Sequence, residues 1–225
     1  MRLRRATALF LMVAVAGCGG NPAPGPVPAP GNGPQPGAFV ALNQDPAKCS
    51  AVLERMGVRA TFLPAKAGPA GCGYPWAVQR TAVPQGHPRW LGETPATSCA
   101  VAAALTQWER DVLQPAARRH LGVPVTGIRH YGSYGCRPRN NRPGAELSEH
   151  ARANAIDIAG FQLASGRTVT VKEGWAGKTE ERAFLRDLRN GACRRFGTVL
   201  SPDYDLAHAD HLHVDQIART TPFCR

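Results

Sequence analysis

The sequence is organised around one segment, Ser148-Glu149-His150-Ala151-Arg152-Ala153-Asn154-Ala155-Ile156-Asp157, and a second one, His208-Ala209-Asp210-His211-Leu212-His213. The first holds a His and an Asp seven residues apart, and the second is a His-x-x-His-x-His cluster. Four of the chain's seven His lie in these two segments. Catalytic zinc sites typically use three protein ligands from His and carboxylate, and they leave one position open. The two segments therefore predict a zinc site.

Two predicted strands would bring these residues together. Side chains alternate between the two faces of a strand. A strand over Ala155–Leu163 carries Asp157, and His150 lies on the loop that enters it. A strand over Asp210–Gln216 places Leu212 and Val214 on the core face and three polar side chains on the other, His211, His213 and Asp215.

If these strands are neighbours, His150, Asp157 and His213 can bind one zinc ion. His211 then lies close to a zinc-activated water and can take or give its proton. His208, in the preceding turn, is expected to orient the site or to bind the oxyanion. His211 and His208 are thus the predicted catalytic residues.

The N-terminus has the pattern of an export signal. A basic start at residues 2–5 precedes the apolar run Ala6–Ala16, which is shorter than the about 20 residues of a membrane span. The run ends at Gly17-Cys18, which resembles a bacterial lipobox, so residues 1–17 are expected to be removed and Cys18 lipidated. An ordinary signal peptide with a nearby cleavage site is the alternative. Proline and glycine dominate the rest of residues 18–37, which are expected to form an extended tether before a domain over residues 38–225.

The chain is basic, with a net charge of +11. An exported chain rarely meets nucleic acid, so we expect no nucleic-acid partner. The cell wall offers carboxylates and phosphates to a basic surface. By resemblance to lipoprotein sorting in Gram-negative bacteria, Gly19 after Cys18 favours the periplasmic face of the outer membrane.

Six Cys remain once Cys18 is set aside for lipid, and an even number in an exported chain indicates disulfides. Six Cys allow 15 pairings, and the sequence cannot choose among them. The simplest guess joins neighbours along the chain, namely Cys49–Cys72, Cys99–Cys136 and Cys193–Cys224.

Helices and strands alternate without internal repeats, which predicts an α+β fold: a mixed or antiparallel sheet with helices packed on one side, stapled by disulfides. The most regular helix covers Ser98–Gly122, with Ser98 as its N-cap and a kink expected at Pro115. A strand is expected over Val125–Tyr131. The basic stretch Gly132–Gly144 is expected to be a long loop next to the site.

The first segment, Ser148-x-His150-x-x-Ala153-x-Ala155-x-Asp157, resembles the S-x-H-x-x-G-x-A-x-D signature of LAS-type zinc peptidases. These include D-Ala-D-Ala carboxypeptidases, lysostaphin-like enzymes and the penicillin-insensitive murein endopeptidase. The second segment resembles the other signature of some members. This resemblance implies a LAS/hedgehog-type fold with zinc on His150, Asp157 and His213, and His211 as the catalytic His. The sequence over Ala38–Arg225 also resembles the bacterial extensin-like C-terminal family.

Two positions depart from the LAS pattern. Ala153 replaces the signature Gly, at a cost of about 1 kcal/mol if the backbone there needs a positive φ. The stretch from Ser133 to Arg137 matches the substrate-binding S-x-Y-R segment only loosely, so Tyr134 and Arg137 are weak candidates for binding substrate.

The function expected from these observations is zinc-dependent hydrolysis of an amide bond in the peptide part of peptidoglycan, by a membrane-tethered lipoprotein. The alternative is a catalytically inactive zinc-containing module that binds the cell wall or a partner. A serine hydrolase is disfavoured, because the chain has no Gly-x-Ser-x-Gly motif.

Overall fold

A computed structural model describes residues 35–225. The predicted signal peptide, Cys18 and most of the predicted tether lie outside these residues. The helices are α1 (Pro46–Arg55), α2 (Cys99–Trp108), α3 (Gln114–Leu121), α4 (Val171–Gly174) and α5 (Thr179–Ala192). The strands are β1 (Arg59–Leu63), β2 (Lys66–Ala67), β3 (Gly73–Tyr74), β4 (Ala77–Ala82), β5 (Arg89–Leu91), β6 (Val125–Gly132), β7 (Ala155–Leu163), β8 (Thr168–Thr170), β9 (Thr198–Leu200), β10 (Leu212–Asp215) and β11 (Phe223–Cys224).

The main sheet has seven strands and is mixed. Its order is β11-β9-β10-β7-β6-β5, and β8 also pairs with β7. The β5/β6 and β9/β11 pairs are parallel, and the other pairs are antiparallel. Two small antiparallel sheets, β1/β4 and β2/β3, complete the described region. The predicted α+β class is confirmed, with open sheets.

Helices α2, α3 and α5 pack against one face of the main sheet, where they bury the larger of two apolar clusters. Their apolar side chains meet those of the central strands, including Leu105, Trp108, Phe184, Leu188, Ile156, Ile158, Leu212 and Val214. On β7 and β10 these inward positions alternate with Asp157 and His213. The polar side chains of the two central strands therefore project from the face opposite the helices.

A bulge in β7 changes which positions of the strand face the core. Ala159 is an extra residue between the pairs His130–Ile158 and Arg129–Gly160. The inward positions change parity at this bulge, so Ile158 before it and Phe161 after it both reach the core.

The predicted helix over Ser98–Gly122 is continuous but not uniform. The Ser98 hydroxyl caps it by accepting from the Val101 N–H, as expected, and Gly122 ends it in the left-handed conformation. The expected kink at Pro115 is replaced by a π-helical turn at Glu109–Leu113, and Pro115 lies in the first turn of α3. In a regular α-helix the proline ring clashes with the carbonyl four residues earlier, and the wider π-helical turn directly before Pro115 accommodates the proline without a break in the helix.

The three disulfides are present, but two of the expected pairings are wrong. Cys193–Cys224 is confirmed, whereas Cys49 pairs with Cys99 and Cys72 pairs with Cys136. Cys49–Cys99 joins α1 to the first turn of α2, where both residues lie in the smaller apolar cluster. Cys72–Cys136 joins the β2/β3 turn to the basic loop. In each corrected pair the Cα atoms lie 5.6–6.0 Å apart; packing of distant segments, rather than proximity along the chain, selects the partners.

Backbone hydrogen bonds join the two sides of the basic loop after β6. The backbone N–H of Ser148 donates to Arg137, and that of Arg139 donates to Glu146. These bonds and the disulfide at Cys136 hold the loop beside the polar face of the sheet.

Among residues 35–225, no helix is long and apolar enough to cross a membrane.

Candidate metal centre

Three buried side chains converge on the polar face of the sheet. His150 Nε2 and His213 Nδ1 each lie 3.0 Å from Asp157 Oδ1, and the two nitrogens are 3.1 Å apart. This is the group of His, Cys, Asp and Glu side chains within residues 35–225 whose ligand atoms come close enough to hold a metal ion. It is also the ligand set predicted from the sequence.

Strand register and a short turn bring the three residues together. His213 and Asp157 are direct cross-strand partners in the antiparallel β10/β7 pair, so their side chains project from the same face. His150 lies in a 3₁₀ turn, Glu149–Arg152, that enters β7. The Ser148 hydroxyl caps this turn by accepting from the His150 N–H, and Ala153 ends it with a left-handed backbone.

Each ligand histidine has its second ring nitrogen held by an acceptor. His150 Nδ1 donates to the Ser133 carbonyl at 2.7 Å, and His213 Nε2 donates to Asp215 Oδ2 at 3.2 Å. Metal-binding histidines almost always make such a second bond, because it fixes the tautomer and the ring orientation. The nitrogens that face Asp157 are therefore the ones available to a metal.

The donor set fits zinc. Imidazole nitrogen and carboxylate oxygen are ordinary zinc ligands, and tetrahedral bonds of about 2.0–2.1 Å place ligand atoms about 3.3–3.4 Å apart. The three separations of 3.0–3.1 Å are only a few tenths of an ångström shorter. Three protein ligands also match the number that catalytic zinc sites use.

In the metal-free state, protons hold the three side chains together. Burial disfavours the ionised form of Asp157, but hydrogen bonds from His150 and His213 outweigh burial and hold the pKa of that carboxyl well below its usual range. Burial disfavours the charged form of His213 as well, yet its hydrogen bonds to Asp157 and Asp215 raise the pKa of His213 to about 9. At neutral pH, His213 therefore donates from both ring nitrogens.

The two predicted catalytic histidines line the same cleft, and each has its own aspartate. His211 Nδ1 donates to Asp210 at 2.9 Å, while its Nε2 lies 3.5 Å from Asp157 Oδ1. His208 Nδ1 donates to Asp205 at 2.6 Å, and its ring centre is 5.1 Å from that of His211. Burial lowers the pKa of His208 despite Asp205. A neutral His208 with its proton on Nδ1 accepts at Nε2, which favours the orienting role over oxyanion binding.

Arg137 and Tyr134, the predicted substrate-binding residues, have different locations. Arg137 lines the cleft, and its Nη2 lies 3.3 Å from Asp157 Oδ2. Tyr134 is not brought to the cleft; its ring packs edge-on against Tyr74, and the Lys66 ammonium lies over it. We call the space around the candidate ligands the metal cleft; its volume is about 220 Å³.

The backbone at Ala153 resolves the question raised by the missing signature glycine. Ala153 has φ of 53° and ψ of 24°, so this position needs the left-handed conformation that glycine adopts most easily. Its carbonyl accepts from the Ser98 N–H, and the Ser98 hydroxyl donates to the Asn154 side chain. The turn that carries His150 is thus anchored to the start of α2.

Sequence reasoning assigned no role to three aspartates and missed one aromatic residue. Asp205, Asp210 and Asp215 lie within three residues of the histidines they hold, so the local pairing was visible in principle. Tyr131 is an extra residue in a second bulge, at the end of β6. Its ring packs edge-on against His211, and its hydroxyl donates to Asp210 at 3.3 Å. A bulge cannot be located from residue alternation alone.

Comparison with known protein families matches residues 47–225 to the family described as extensin-like protein C-terminus. No curated protein and no solved structure matches the chain significantly. The family match covers both segments of the candidate metal centre and all six paired cysteines. The chain therefore belongs to the extensin-like C-terminal family.

Proposed function

We propose that this protein is a zinc-dependent hydrolase that cleaves an amide bond in the peptide part of peptidoglycan. The observation that carries the proposal is the convergence of His150, Asp157 and His213, with the other nitrogen of each His held by an acceptor. The resemblance of the first segment to the LAS-type signature supports the reaction class. His211, next to the ligands, supports catalysis over simple metal storage.

The reaction assigns a proton task to His211. When bound, zinc supplies Lewis-acid activation of the attacking water and of the scissile carbonyl. Because His211 Nδ1 donates to Asp210, Nε2 carries the lone pair and can accept a proton from the attacking water. The same nitrogen then returns that proton to the leaving amine. Asp205 holds His208 beside this ring, which restricts the movement of both imidazoles.

We further propose that the protein is an exported lipoprotein, anchored through Cys18 and facing the cell wall. The lipobox-like Gly17-Cys18, the short apolar run before it and the three disulfides support export to an oxidising compartment. A Cys18→Ser variant should leave the detergent phase in a partitioning assay. Unchanged partitioning would contradict lipidation at this residue.

The test of hydrolysis separates metal binding from proton transfer. The purified mature chain should contain about one zinc per molecule and release peptides from peptidoglycan. His211→Ala should keep the zinc but lose about 100-fold or more in rate, the usual contribution of a general base. His213→Ala should lose both, because it removes a ligand. Zinc is measured by elemental analysis and products by mass spectrometry.

The matched control is His120→Ala, which removes a histidine that pairs with Asp187 on the helical side. It should keep zinc and activity. A wild-type protein that binds zinc and cell wall but releases no peptide would contradict hydrolysis and establish the alternative, an inactive wall-binding module. A wild-type protein without zinc affinity would contradict both.

A further inference from the structure

A second cleft adjoins the metal cleft. Its volume is about 550 Å³, and it shares three wall residues with the metal cleft, Arg139, Glu149 and Ile217. Ligand pockets usually measure about 300–1,000 Å³. The metal cleft alone, at about 220 Å³, falls below this range, whereas the second cleft lies within it. A ligand larger than the metal cleft therefore has space to continue across the shared residues. We call this second space the accessory cleft.

The accessory cleft contains a buried acceptor without a donor. Gln216 lies in its wall and is only 1% exposed. The side-chain amide of Gln216 donates to the Arg195 carbonyl at 2.8 Å, but no group within residues 35–225 donates to its Oε1. A buried acceptor left unpaired costs about 1–3 kcal/mol. Such a cost is offset when a ligand supplies the missing N–H donor.

The charges in the wall leave one cation open to a ligand. Arg139 is paired with Glu146 at 2.9 Å, and Glu149 accepts from the Asn154 side chain at 2.6 Å. Arg152, also in the wall, pairs with no carboxylate in the part of the chain that the structure describes. Its guanidinium can bind a carboxylate through two parallel hydrogen bonds.

The accessory cleft is built from the same backbone as the metal centre. Arg152 lies two residues after His150, in the turn that carries this ligand. Gln216 directly follows Asp215, which holds His213, and the Gln216 N–H donates to the Asn154 carbonyl. A ligand in the accessory cleft therefore has a fixed position relative to the metal centre.

We propose that the accessory cleft binds a carboxylate-bearing peptide segment of the substrate, on one side of the amide that is cleaved. Arg152 binds the carboxylate, and Gln216 Oε1 accepts a peptide N–H. The inference rests on the proposed hydrolysis and deepens it: the preferred substrate is a long or cross-linked peptide, not a free terminal dipeptide.

The test measures binding, so that it does not depend on turnover. Calorimetry on the zinc-loaded mature chain carrying His211→Ala would use a two-residue peptidoglycan peptide and a purified cross-linked peptide dimer. We expect the dimer to bind at least tenfold more tightly. Adding Arg152→Ala should reduce this preference at least fivefold, whereas Arg152→Lys, which keeps the charge, should retain part of it. Arg182→Ala, an exposed arginine on α5, is the matched control and should leave the preference intact.

Equal affinity for the two peptides would overturn the proposal, as would an unchanged preference in Arg152→Ala. A third arm uses glycan chains without peptide; binding of these chains that depends on Arg152 would also overturn it. Failure of the proposed hydrolysis is seen separately, as absence of turnover by the wild-type chain, and it does not alter these binding measurements.

Discussion

Each histidine of the His-x-x-His-x-His cluster is held by its own aspartate. The separations along the chain are three residues for Asp205 and His208, one for Asp210 and His211, and two for His213 and Asp215. Because a carboxylate accepts but does not donate, each pair fixes which ring nitrogen carries the proton. The three aspartates thus determine which ring nitrogen of each histidine faces the metal cleft.

The aspartates should have separable effects. Asp215→Asn weakens the hydrogen bond that orients His213, so zinc affinity should fall about 10–100-fold. Asp210→Asn affects His211, which is not a proposed ligand, so it should slow peptide release and leave zinc affinity near the wild-type value. Competition with a chelator measures the first effect, and product analysis measures the second. Equal zinc affinity in Asp215→Asn and the wild type would show that Asp215 does not support a ligand.

Ala153 should be a site where glycine stabilises the protein. An L-residue in the left-handed conformation costs about 1–2 kcal/mol, and glycine's greater freedom in the unfolded chain offsets part of the gain. Ala153→Gly should therefore raise the free energy of unfolding by up to about 1 kcal/mol. Ala151→Gly, in the same turn at an ordinary helical position, should lower it by about 1 kcal/mol. Urea unfolding with the disulfides intact measures both; loss of stability in both variants would contradict strain at Ala153.

For individual site residues, the sequence predicted the convergence of His150, Asp157, His211 and His213 well. Two strands with known alternation and one short turn are enough to bring such residues together. It could not predict that Tyr134 points away, because its position depends on how the loop is tied by Cys136 and by backbone bonds. Nor could it show whether Ala153 has a positive φ, since that requires the path of the turn.

The π-helical turn places a side chain that a regular helix would direct elsewhere. The π-helical turn between α2 and α3 inserts Glu109, which is fully buried and binds Arg80 through both carboxylate oxygens, at 2.6 and 3.0 Å. His87 Nδ1 lies 2.9 Å from the same carboxylate. Burial disfavours the ionised form of Glu109, but Arg80 and His87 outweigh burial and lower the pKa of its carboxyl. The turn therefore completes a buried ionic cluster.

Removing the negative charge of this cluster should be costly. Glu109→Gln leaves the Arg80 guanidinium buried without an ionic partner, which typically costs about 3–5 kcal/mol. Asp111→Asn, in the same turn, breaks partly exposed pairs with Arg110 and Arg195 and should cost less than about 1 kcal/mol. Urea unfolding at pH 7 compares the two variants. Similar losses would mean that the buried pair contributes no more than a surface pair.

Most elements were predictable because their patterns are local. The α2–α3 helix has a long apolar stripe and a Ser cap, and β7 has the predicted bounds of Ala155–Leu163. The π-helical turn and the β-bulges were not predictable, because each adds a single residue whose accommodation depends on the neighbouring element. Two bulges in the β6/β7 pair matter for the site: the bulge at Ala159 changes which positions of β7 face the core, and the bulge at Tyr131 directs this residue towards His211.

For the whole molecule, the disulfides connect segments that lie far apart in sequence. The bonds Cys49–Cys99 and Cys72–Cys136 span 50 and 64 residues, whereas pairing of neighbours fails for both. The pairing follows from how α1 packs on α2 and how the β2/β3 turn meets the basic loop. These contacts join segments that are distant along the chain, so local sequence patterns do not reveal them. The paired cysteines should keep the domain folded when zinc is absent.

The proton on His213 couples the metal centre to the stability of the whole domain. In the metal-free protein the pKa of His213 is raised to about 9, from about 6.5 in an unfolded chain. This group therefore contributes stability that is fully present below about pH 6.5 and is lost as the pH rises through about 9. The lowered pKa of Asp157 acts in the opposite direction: its contribution is present above about pH 4 and is lost at lower pH. Together these two groups should stabilise the metal-free domain most between about pH 4 and 6.5.

Zinc should abolish the slope above pH 6.5. A ligand nitrogen must be unprotonated, so zinc has to displace the proton on His213 Nδ1, and its apparent affinity should rise about tenfold per pH unit up to about pH 9. Because zinc binds the folded state, its rising affinity should offset the loss, and the zinc-loaded domain should keep a nearly constant stability over the range in which the metal-free domain loses up to about 3 kcal/mol. Melting curves from pH 6 to 9, with zinc and with a chelator, measure the two slopes. Calorimetry in buffers of different ionisation enthalpy should find at least one proton released per zinc at pH 7.5. Parallel melting curves, or binding without proton release, would exclude His213 as a ligand.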